Sequence, residues 1–183
     1  MSVSRRAAMA AAIGSVIAPG VTTAAAGTAW GFEFPSIDEG LLRLADFRGK
    51  VLLVVNTASF CGFTPQYRQL EAVHQRLAEK GFAVVGVPSQ DFGQESGTNG
   101  EVKAFCELTY GVDFPMTALG HVRGPNAAPF YKWVRAERRW EPSWNFNKVL
   151  IGRDGVIAGT FGSSDEPERG RLATAIQAAV DRS

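Results

Sequence analysis

Two apolar runs joined by an amphipathic segment constrain the fold of this chain more than any other feature. Residues 51–55 read Val-Leu-Leu-Val-Val and residues 82–87 read Phe-Ala-Val-Val-Gly-Val, which is typical of strands buried on both faces. Between the runs, apolar side chains recur at helical spacing, at Tyr67, Leu70, Val73 and Leu77. We therefore predict a helix over residues 65–80 with Thr64 as its N-cap. The whole pattern predicts a βαβ unit with parallel strands.

The segments that follow complete the pattern of one α/β domain. A second helix is predicted from Asn99, with Cys106 on or near its apolar side. Two short apolar runs, residues 149–151 and 156–158, flank an Arg-Asp-Gly turn and predict a β-hairpin. Pro167 is predicted to open a last helix. A parallel core, an antiparallel edge and a closing helix together predict a thioredoxin-like α/β fold, with a central mixed sheet flanked by helices.

The N-terminal segment differs in composition from the rest of the chain. Arg5 and Arg6 precede an alanine-rich, acid-free stretch, and residues 24–26 are alanines suited to cleavage. We interpret residues 1–26 as an export signal peptide of the twin-arginine type and residues 27–183 as the folded domain. The alternatives are a Sec signal and an uncleaved, disordered tail. The expected location is the periplasm, or the cytoplasm if the segment is not a functional signal.

Charge and hydrophobicity argue against two kinds of partner. The chain has 183 residues and a net charge of +1, which becomes −1 without residues 1–26, because Arg5 and Arg6 are the only charged residues there. A near-neutral domain argues against a nucleic-acid partner. The apolar part of the N-terminal segment is shorter than the ~20 residues that a membrane-spanning helix needs. Gly14 and Pro19 also interrupt it, so we expect no stable membrane anchor.

Two cysteines carry the candidate chemistry. Cys61 follows the first predicted strand and lies just ahead of the predicted helix. Free N–H groups and the helix dipole stabilise a thiolate at such a place, and the thiolate is the nucleophilic form. From the residues alone, Cys61 is either a reactive thiol or a structural cysteine, and it is also able to form a static disulfide with Cys106. A disulfide reductase would need Cys-x-x-Cys, but Thr64 stands at the fourth position.

Three segments, in order along the chain, resemble the glutathione peroxidase family. Residues 56–64, Asn-Thr-Ala-Ser-Phe-Cys-Gly-Phe-Thr, resemble the signature that holds its reactive cysteine or selenocysteine. Residues 105–115, Phe-Cys-Glu-Leu-Thr-Tyr-Gly-Val-Asp-Phe-Pro, are similar to the segment with the resolving cysteine of its two-cysteine members. Residues 144–148, Trp-Asn-Phe-Asn-Lys, resemble a second signature of the family. The chain is therefore identified as a cysteine-type member that resembles the thioredoxin-dependent enzymes.

This resemblance implies a thiol peroxidase that acts in the response to oxidative stress. Cys61 would attack hydrogen peroxide or an organic or lipid hydroperoxide and become a sulfenic acid, which Cys106 would resolve as an intramolecular disulfide. A thioredoxin-like dithiol or glutathione would then restore the two thiols. Trp144 and Asn145 would donate hydrogen bonds to the developing negative charge. Outside this motif, Trp144 would be interpreted as a core aromatic residue.

One position departs from the pattern of the family. The family has its catalytic glutamine in an Asn-Gln-Phe-Gly run, whereas residues 90–93 read Gln-Asp-Phe-Gly and place Asp91 there. An ionised carboxylate beside Cys61 would raise the pKa of the thiol. We therefore expect Asp91 to be turned away or protonated, and the alternative is a direct contact that lowers reactivity. A local shift would let Gln90 or Gln94 reach the sulfur instead.

The remaining expectations concern cofactors and partners. The resemblance implies no bound cofactor, because the enzyme consumes an external thiol reductant. Two histidines and two cysteines offer no close set of metal ligands, so no metal is expected. The chain lacks the insertion that tetrameric members of the family use for assembly, so a monomer is expected. The alternative to an enzyme is an exported binding or structural domain with a static disulfide between Cys61 and Cys106.

Overall fold

A four-stranded mixed sheet forms the centre of this computed structural model, which describes residues 27–182. The predicted export signal, residues 1–26, lies outside the described residues. The strands are β1 (Glu33–Pro35), β2 (Leu41–Arg43), β3 (Val51–Thr57), β4 (Phe82–Pro88), β5 (Lys148–Ile151) and β6 (Ile157–Phe161). The sheet has the order β4-β3-β5-β6, in which β3 and β4 are parallel and the other two pairs antiparallel. Strands β1 and β2 form a separate antiparallel pair.

Helices pack on both faces of this sheet. They are α1 (Gln66–Leu77), α2 (Asn99–Phe105), α3 (Pro129–Arg138) and α4 (Gly170–Val180). On one face, Leu53 of β3 belongs to an apolar cluster with residues of α1, α2 and α4. On the other face, Leu52 of β3 belongs to a cluster with residues of α3, β1 and β2. Because successive residues of a strand point to opposite faces, the uninterrupted apolar run of β3 supplies both cores. The predicted mixed sheet flanked by helices is confirmed.

The predicted βαβ unit is present, with a shorter helix than expected. Helix α1 begins at Gln66 rather than at residue 65 and ends at Leu77, and Ala78–Lys80 form a 3-10 turn. Gly81 follows in the left-handed conformation, with φ of 74°. The prediction of Thr64 as N-cap was wrong. Pro65 takes that position, because the Thr64 hydroxyl is hydrogen bonded within the preceding turn.

The last helix also begins later than predicted. The predicted start was Pro167, whereas α4 begins at Gly170. Arg169 is extended, with φ of −149°, and Gly170 has φ of 66°, so the main chain is not helical between these positions and Pro167. The Asp165 carboxylate stabilises the turn before the helix by accepting a hydrogen bond from the Gly162 N–H at 2.8 Å. A loop therefore replaces the predicted first turn of the helix.

Helix α2 begins at Asn99 as predicted and changes pitch at its end. The Thr98 hydroxyl accepts a hydrogen bond from the Glu101 N–H at 3.3 Å, and the Glu101 carboxylate accepts one from the Thr98 N–H at 3.1 Å. This capping box satisfies two N–H groups that the first turn leaves free. Cys106–Tyr110 then form a π-helical turn, which puts Cys106 at the junction of two helical segments.

Residues 27–182 contain neither a membrane-spanning helix nor a cluster of metal ligands. Within this range no helix combines the length and the hydrophobicity that crossing a bilayer requires. The same part of the chain holds no group of three or more His, Cys, Asp or Glu side chains placed to bind a metal ion.

Candidate active site

Cys61 lies in a tight turn between the end of β3 and the start of α1. Its side chain is buried, with 7% exposed, and its sulfur accepts a hydrogen bond from the Phe63 N–H at 3.4 Å. The Cys61 N–H donates to the Thr64 hydroxyl at 3.0 Å, and that hydroxyl donates to the Ala58 carbonyl at 2.9 Å. The turn thus presents the Phe63 N–H to the sulfur just ahead of a helix N-terminus. The predicted position of Cys61 is confirmed.

Asn56, on β3, binds the Trp144–Asn147 segment to the same end of the sheet. Its side-chain amide donates to the Trp144 carbonyl at 3.0 Å, and its side-chain oxygen accepts from the Asn147 N–H at 3.1 Å. Its main-chain carbonyl accepts from the Phe146 N–H at 2.6 Å. Phe146 has φ of 58°, which is costly for a bulky residue and is maintained here by these hydrogen bonds. The third sequence motif therefore lies beside the strand that leads to Cys61.

Asn145 is connected to the Cys61 turn through Gln94. The Asn145 side chain is fully buried, and its amide donates to the Gln94 side-chain oxygen at 2.9 Å. The Gln94 main-chain carbonyl accepts from the N–H of Phe60, the residue before Cys61, at 2.9 Å. The Gln94 amide nitrogen remains a donor that this contact does not use. The structure thus assembles two amide side chains next to the cysteine turn.

Trp144 lies at the surface and Phe146 lies in the core. The Trp144 side chain is 42% exposed, and its ring centroid is 5.5 Å from that of Phe92. The Arg123 guanidinium lies over the Phe92 ring, 5.3 Å from its centroid. Phe146 is fully buried and packs edge to face against Tyr67, with 5.3 Å between centroids. A half-exposed indole next to Asn145 is not a core aromatic residue, whereas Phe146 is one.

Asp91 is held by a neighbouring loop. Its carboxylate accepts hydrogen bonds from the N–H groups of Val122 at 2.7 Å and Arg123 at 3.2 Å, and it contacts a ring nitrogen of His121 at 2.6 Å. Burial acts to raise the pKa of Asp91, but the His121 and main-chain hydrogen bonds outweigh it and lower the pKa below the usual value. Asp91 is therefore turned toward residues 121–123, which is the first of the two expected states, turned away or protonated; the lowered pKa does not favour the protonated state.

Gln90 and Glu95 shape the loop that carries Gln94. The Gln90 amide donates to the main-chain carbonyls of Glu95 and Ser96, the latter at 3.0 Å, so it is used within the loop. The buried Glu95 carboxylate accepts from the N–H groups of Ser59 at 3.0 Å and Ser96 at 2.8 Å. Burial raises the pKa of Glu95. These contacts attach the loop to the residues just before Cys61, so of the three candidates at residues 90–94 it is Gln94 that lies against Asn145.

Cys106 is a buried, free thiol on the same apolar core as Cys61. Its side chain is 1% exposed, and burial raises its pKa to about 11. The Tyr67 hydroxyl lies close by and partly offsets this effect, without a hydrogen bond of standard geometry. Phe60 and Phe105, the residues before the two cysteines, have ring centroids 6.1 Å apart. Both cysteines are free thiols, so the static disulfide is not present in this structure.

Several residues of the site were missed by the sequence analysis. Asn56 and Lys148 lie inside the quoted motifs, which could have indicated a role for them. Gln66 and Ser163 lie outside those motifs and carry no sequence signal. Lys148 is fully buried and donates to the Gln66 side-chain oxygen at 2.6 Å. The Ser163 hydroxyl donates to the Asn145 carbonyl at 2.6 Å.

Comparison with known proteins gives the same family as the sequence motifs. The family model described as glutathione peroxidase matches residues 30–135, more than half of the chain. The chain is 43% identical over 159 residues to hydroperoxy fatty acid reductase gpx1 of Synechocystis sp., with 81% of this chain and 94% of that protein covered. It is 42% identical over 129 residues to glutathione peroxidase-like peroxiredoxin gpx1 of Schizosaccharomyces pombe, covering 68% and 82% of the two proteins.

Solved structures agree on the fold. The crystal structure of Trgpx in its apo form is 35% identical, with a TM-score of 0.69, covering 86% of this chain and 98% of the other. A thioredoxin-family thiol:disulfide interchange protein from Chlorobium tepidum has a TM-score of 0.63 at 17% identity, covering 87% and 99%, which shows the fold alone. The predicted thioredoxin-like fold is confirmed. With its family model, its relatives and its fold in agreement, the chain belongs to the glutathione peroxidase family.

Proposed function

We propose that this thiol peroxidase reduces hydroperoxides at Cys61, with Cys106 as the resolving cysteine. The observation that carries the proposal is the amide pair beside the cysteine turn: the Asn145 amide donates to the Gln94 side-chain oxygen at 2.9 Å, and the Gln94 main-chain carbonyl accepts from the Phe60 N–H at 2.9 Å. Donors fixed in advance next to a buried sulfur stabilise negative charge without reorganisation. We assign Trp144, Asn145 and Gln94 as these donors, with Gln94 in the role that the family pattern would give to position 91 and that a local shift was expected to give to Gln90 or Gln94.

The first step transfers one oxygen atom from the substrate to sulfur. The Cys61 thiolate attacks the terminal oxygen of the hydroperoxide and the O–O bond breaks, so that sulfur is oxidised to a sulfenic acid and the substrate leaves as water or an alcohol after taking up a proton. Negative charge passes from the sulfur to the leaving oxygen. The N–H donor of Phe63 at the sulfur and the amide donors nearby supply electrostatic stabilisation for both positions.

The second step requires Cys106 to become accessible. Attack of the Cys106 sulfur on the sulfenic acid forms the Cys61–Cys106 disulfide and releases water. Cys106 is 1% exposed with a pKa of about 11, so at neutral pH it is a protonated thiol. Local opening of the helical segment that holds Cys106 would supply both the access and the ionisation. A dithiol then reduces the disulfide through a mixed disulfide.

We further propose that hydrogen peroxide and organic or lipid hydroperoxides are the substrates. The Synechocystis relative is named a hydroperoxy fatty acid reductase. Three large apolar side chains near the two cysteines are exposed, namely Phe60 at 66%, Trp144 at 42% and Leu108 at 87%. An exposed apolar surface of this kind suits the hydrocarbon part of a lipid hydroperoxide.

The reductant, oligomeric state and location complete the proposal. An internal disulfide is the natural substrate of a dithiol, so a thioredoxin-like protein is favoured over glutathione as the electron donor. The absent assembly insertion supports a monomer. The composition of residues 1–26 supports export to the periplasm, where the reducing equivalents would come from a thioredoxin-like partner.

Intact mass after one equivalent of hydrogen peroxide tests the mechanism. The reduced wild-type protein is expected to lose two hydrogen atoms, because both thiols enter the disulfide. A Cys106→Ser variant is expected to gain one oxygen atom, and a Cys61→Ser variant to remain unmodified. A wild-type protein that stays reduced, or a Cys61→Ser variant that still gains oxygen, would contradict the assignment of Cys61 and favour a binding or structural domain.

A further inference from the structure

Lys148 is a buried amine for which the reaction described above has no use. It lies at the start of β5 with no exposed surface. Its side-chain nitrogen donates to the Gln66 side-chain oxygen at 2.6 Å and to the carbonyls of Asp165 at 2.8 Å and Ser163 at 3.3 Å, with a longer contact to Gly162. None of these acceptors is a carboxylate. A buried ammonium without a counter-ion in contact is costly, so stability alone does not account for it.

The acceptors of Lys148 lead to both sides of the candidate active site. Gln66 is the first residue of α1 and follows the Cys61 turn, and its amide donates to the Ser163 carbonyl at 2.6 Å. The Ser163 carbonyl therefore receives hydrogen bonds from both Gln66 and Lys148. The Ser163 hydroxyl in turn donates to the Asn145 carbonyl at 2.6 Å and accepts from the Asn147 amide at 2.9 Å. A continuous hydrogen-bond path thus runs from α1 to Asn145.

We propose that Lys148, Gln66 and Ser163 form a positioning cluster that fixes the main chain of Asn145 relative to the Cys61 turn. The inference rests on the proposed function, because it assigns Asn145 to the stabilisation of the Cys61 thiolate. Donors contribute to catalysis only when they are held close to their productive geometry, and small displacements far from the reacting atoms are costly. Gln66 fixes the start of α1, and the Ser163 hydroxyl fixes the Asn145 carbonyl. Lys148 joins the two residues by donating to the Gln66 side chain and to the Ser163 carbonyl.

The cluster is tested with single substitutions in a Cys106→Ser background. In this background Cys61 is the only thiol, so alkylation reports Cys61 alone. Ser163→Ala removes the hydrogen bond to Asn145 and leaves the Lys148 contact to the Ser163 carbonyl in place. It also removes the acceptor of the Asn147 amide. We expect oxidation of Cys61 by hydrogen peroxide to slow by about fivefold, the effect of losing the one hydrogen bond that positions Asn145. The midpoint of the pH profile of iodoacetamide alkylation is expected to rise by about half a unit, because the thiolate loses a well-placed donor.

Matched variants separate positioning from stability. Ser164→Ala, at the exposed neighbouring serine, is expected to leave the oxidation rate and the alkylation profile at their wild-type values. Ser163→Thr retains a hydroxyl and is expected to restore most of the rate. Gln66→Leu breaks the path at its other end and is expected to raise the alkylation midpoint as Ser163→Ala does, which keeps the test open if Ser163→Ala folds poorly.

The outcomes distinguish this inference from the proposed function. A Ser163→Ala protein that is folded and has the rate and alkylation profile of the Ser164→Ala protein would overturn the positioning role. Loss of thermal stability with an unchanged alkylation midpoint would likewise assign the cluster to structure alone. Failure of the unsubstituted protein to react with peroxide would contradict the proposed function, and the alkylation profiles would still report whether the cluster acts on Cys61.

Discussion

At the scale of single residues, the loop that has Asp91 in place of the family's glutamine also carries Gln94, whose side chain contacts Asn145. An acid at position 91 would oppose formation of the Cys61 thiolate if the two side chains met. The structure instead directs the Asp91 carboxylate to His121 and to two N–H groups, and it brings Gln94 against Asn145. Under the proposed function, the amide that the family pattern implies comes from a later position in the same loop.

Substitution of the three candidates in turn tests this assignment. Gln94→Leu is expected to slow the oxidation of Cys61 by hydrogen peroxide by about tenfold, because one donor to the developing charge is lost. Gln90→Leu and Asp91→Asn are expected to stay within about twofold of the wild-type rate, since their hydrogen bonds stabilise loops. Stopped-flow tryptophan fluorescence measures the rate. A slow Asp91→Asn variant beside a fast Gln94→Leu variant would return the catalytic role to position 91.

At the scale of secondary structure, the junction of helix α2 and the π-helical turn holds the proposed resolving cysteine, Cys106. Cys106 lies where α2 passes into a π-helical turn, and its sulfur is buried in the core. Under the proposed mechanism, its attack on the sulfenic acid needs this segment to open. The capping box of Thr98 and Glu101 stabilises the closed segment from its N-terminal end.

Weakening this cap is expected to accelerate disulfide formation. Thr98→Ala removes about 1 kcal/mol of helix stability, so the open state should be populated roughly fivefold more often. After a single turnover with peroxide, the disulfide is expected to form correspondingly faster, whereas oxidation of Cys61 is unchanged. Thr174→Ala, in which the lost hydroxyl contact is with Gly170 in α4, is the control. Equal disulfide rates in the three proteins would show that opening of α2 does not limit resolution.

At the scale of the whole molecule, the sequence predicted the layers of the fold better than its loops. The apolar runs of β3 and β4 required burial on both faces, and their parallel pairing followed from the helix between them. The position of Cys61 followed from the same βαβ pattern. The Asn145–Gln94 contact joins residues 51 positions apart in the sequence, and the Ser163–Asn145 contact depends on a loop of irregular conformation. No local periodicity encodes such contacts, so only the structure reveals them.

The exposed apolar surface of the molecule predicts a difference between substrates. Phe60, 66% exposed beside Cys61, is placed to contact a hydrocarbon chain and not hydrogen peroxide. Phe60→Ser is expected to lower kcat/KM for a fatty acid hydroperoxide by about tenfold, equivalent to the partial burial of one aromatic side chain. The rate with hydrogen peroxide should change by less than about twofold. Val156→Ser, at an exposed apolar residue of the β5-β6 hairpin, is the control for surface polarity in general.

Lys148 connects the active-site region to the pH dependence of global stability. Burial lowers its pKa from 10.5 to about 7, against the opposing effect of Asp165 and Glu166. Between these two values the unfolded chain binds a proton at this residue that the folded protein does not. Stability therefore rises with pH across this window, by about 1.4 kcal/mol per unit for this group alone. Below pH 7 both states are protonated and the contribution of Lys148 no longer changes.

A Lys148→Met variant separates this contribution from all other titrating groups. The difference in unfolding free energy between the wild-type protein and the variant is expected to grow in favour of the wild type from pH 7 to pH 9, by about 1–3 kcal/mol. Urea denaturation of both proteins at pH 7, 8 and 9 measures this difference in unfolding free energy. The raised pKa of Cys106 lowers stability as pH rises above 9, and taking the difference between the two proteins cancels this effect. A constant difference would mean that Lys148 stays protonated in the folded protein, and the cluster would then hold Asn145 with a permanent buried charge.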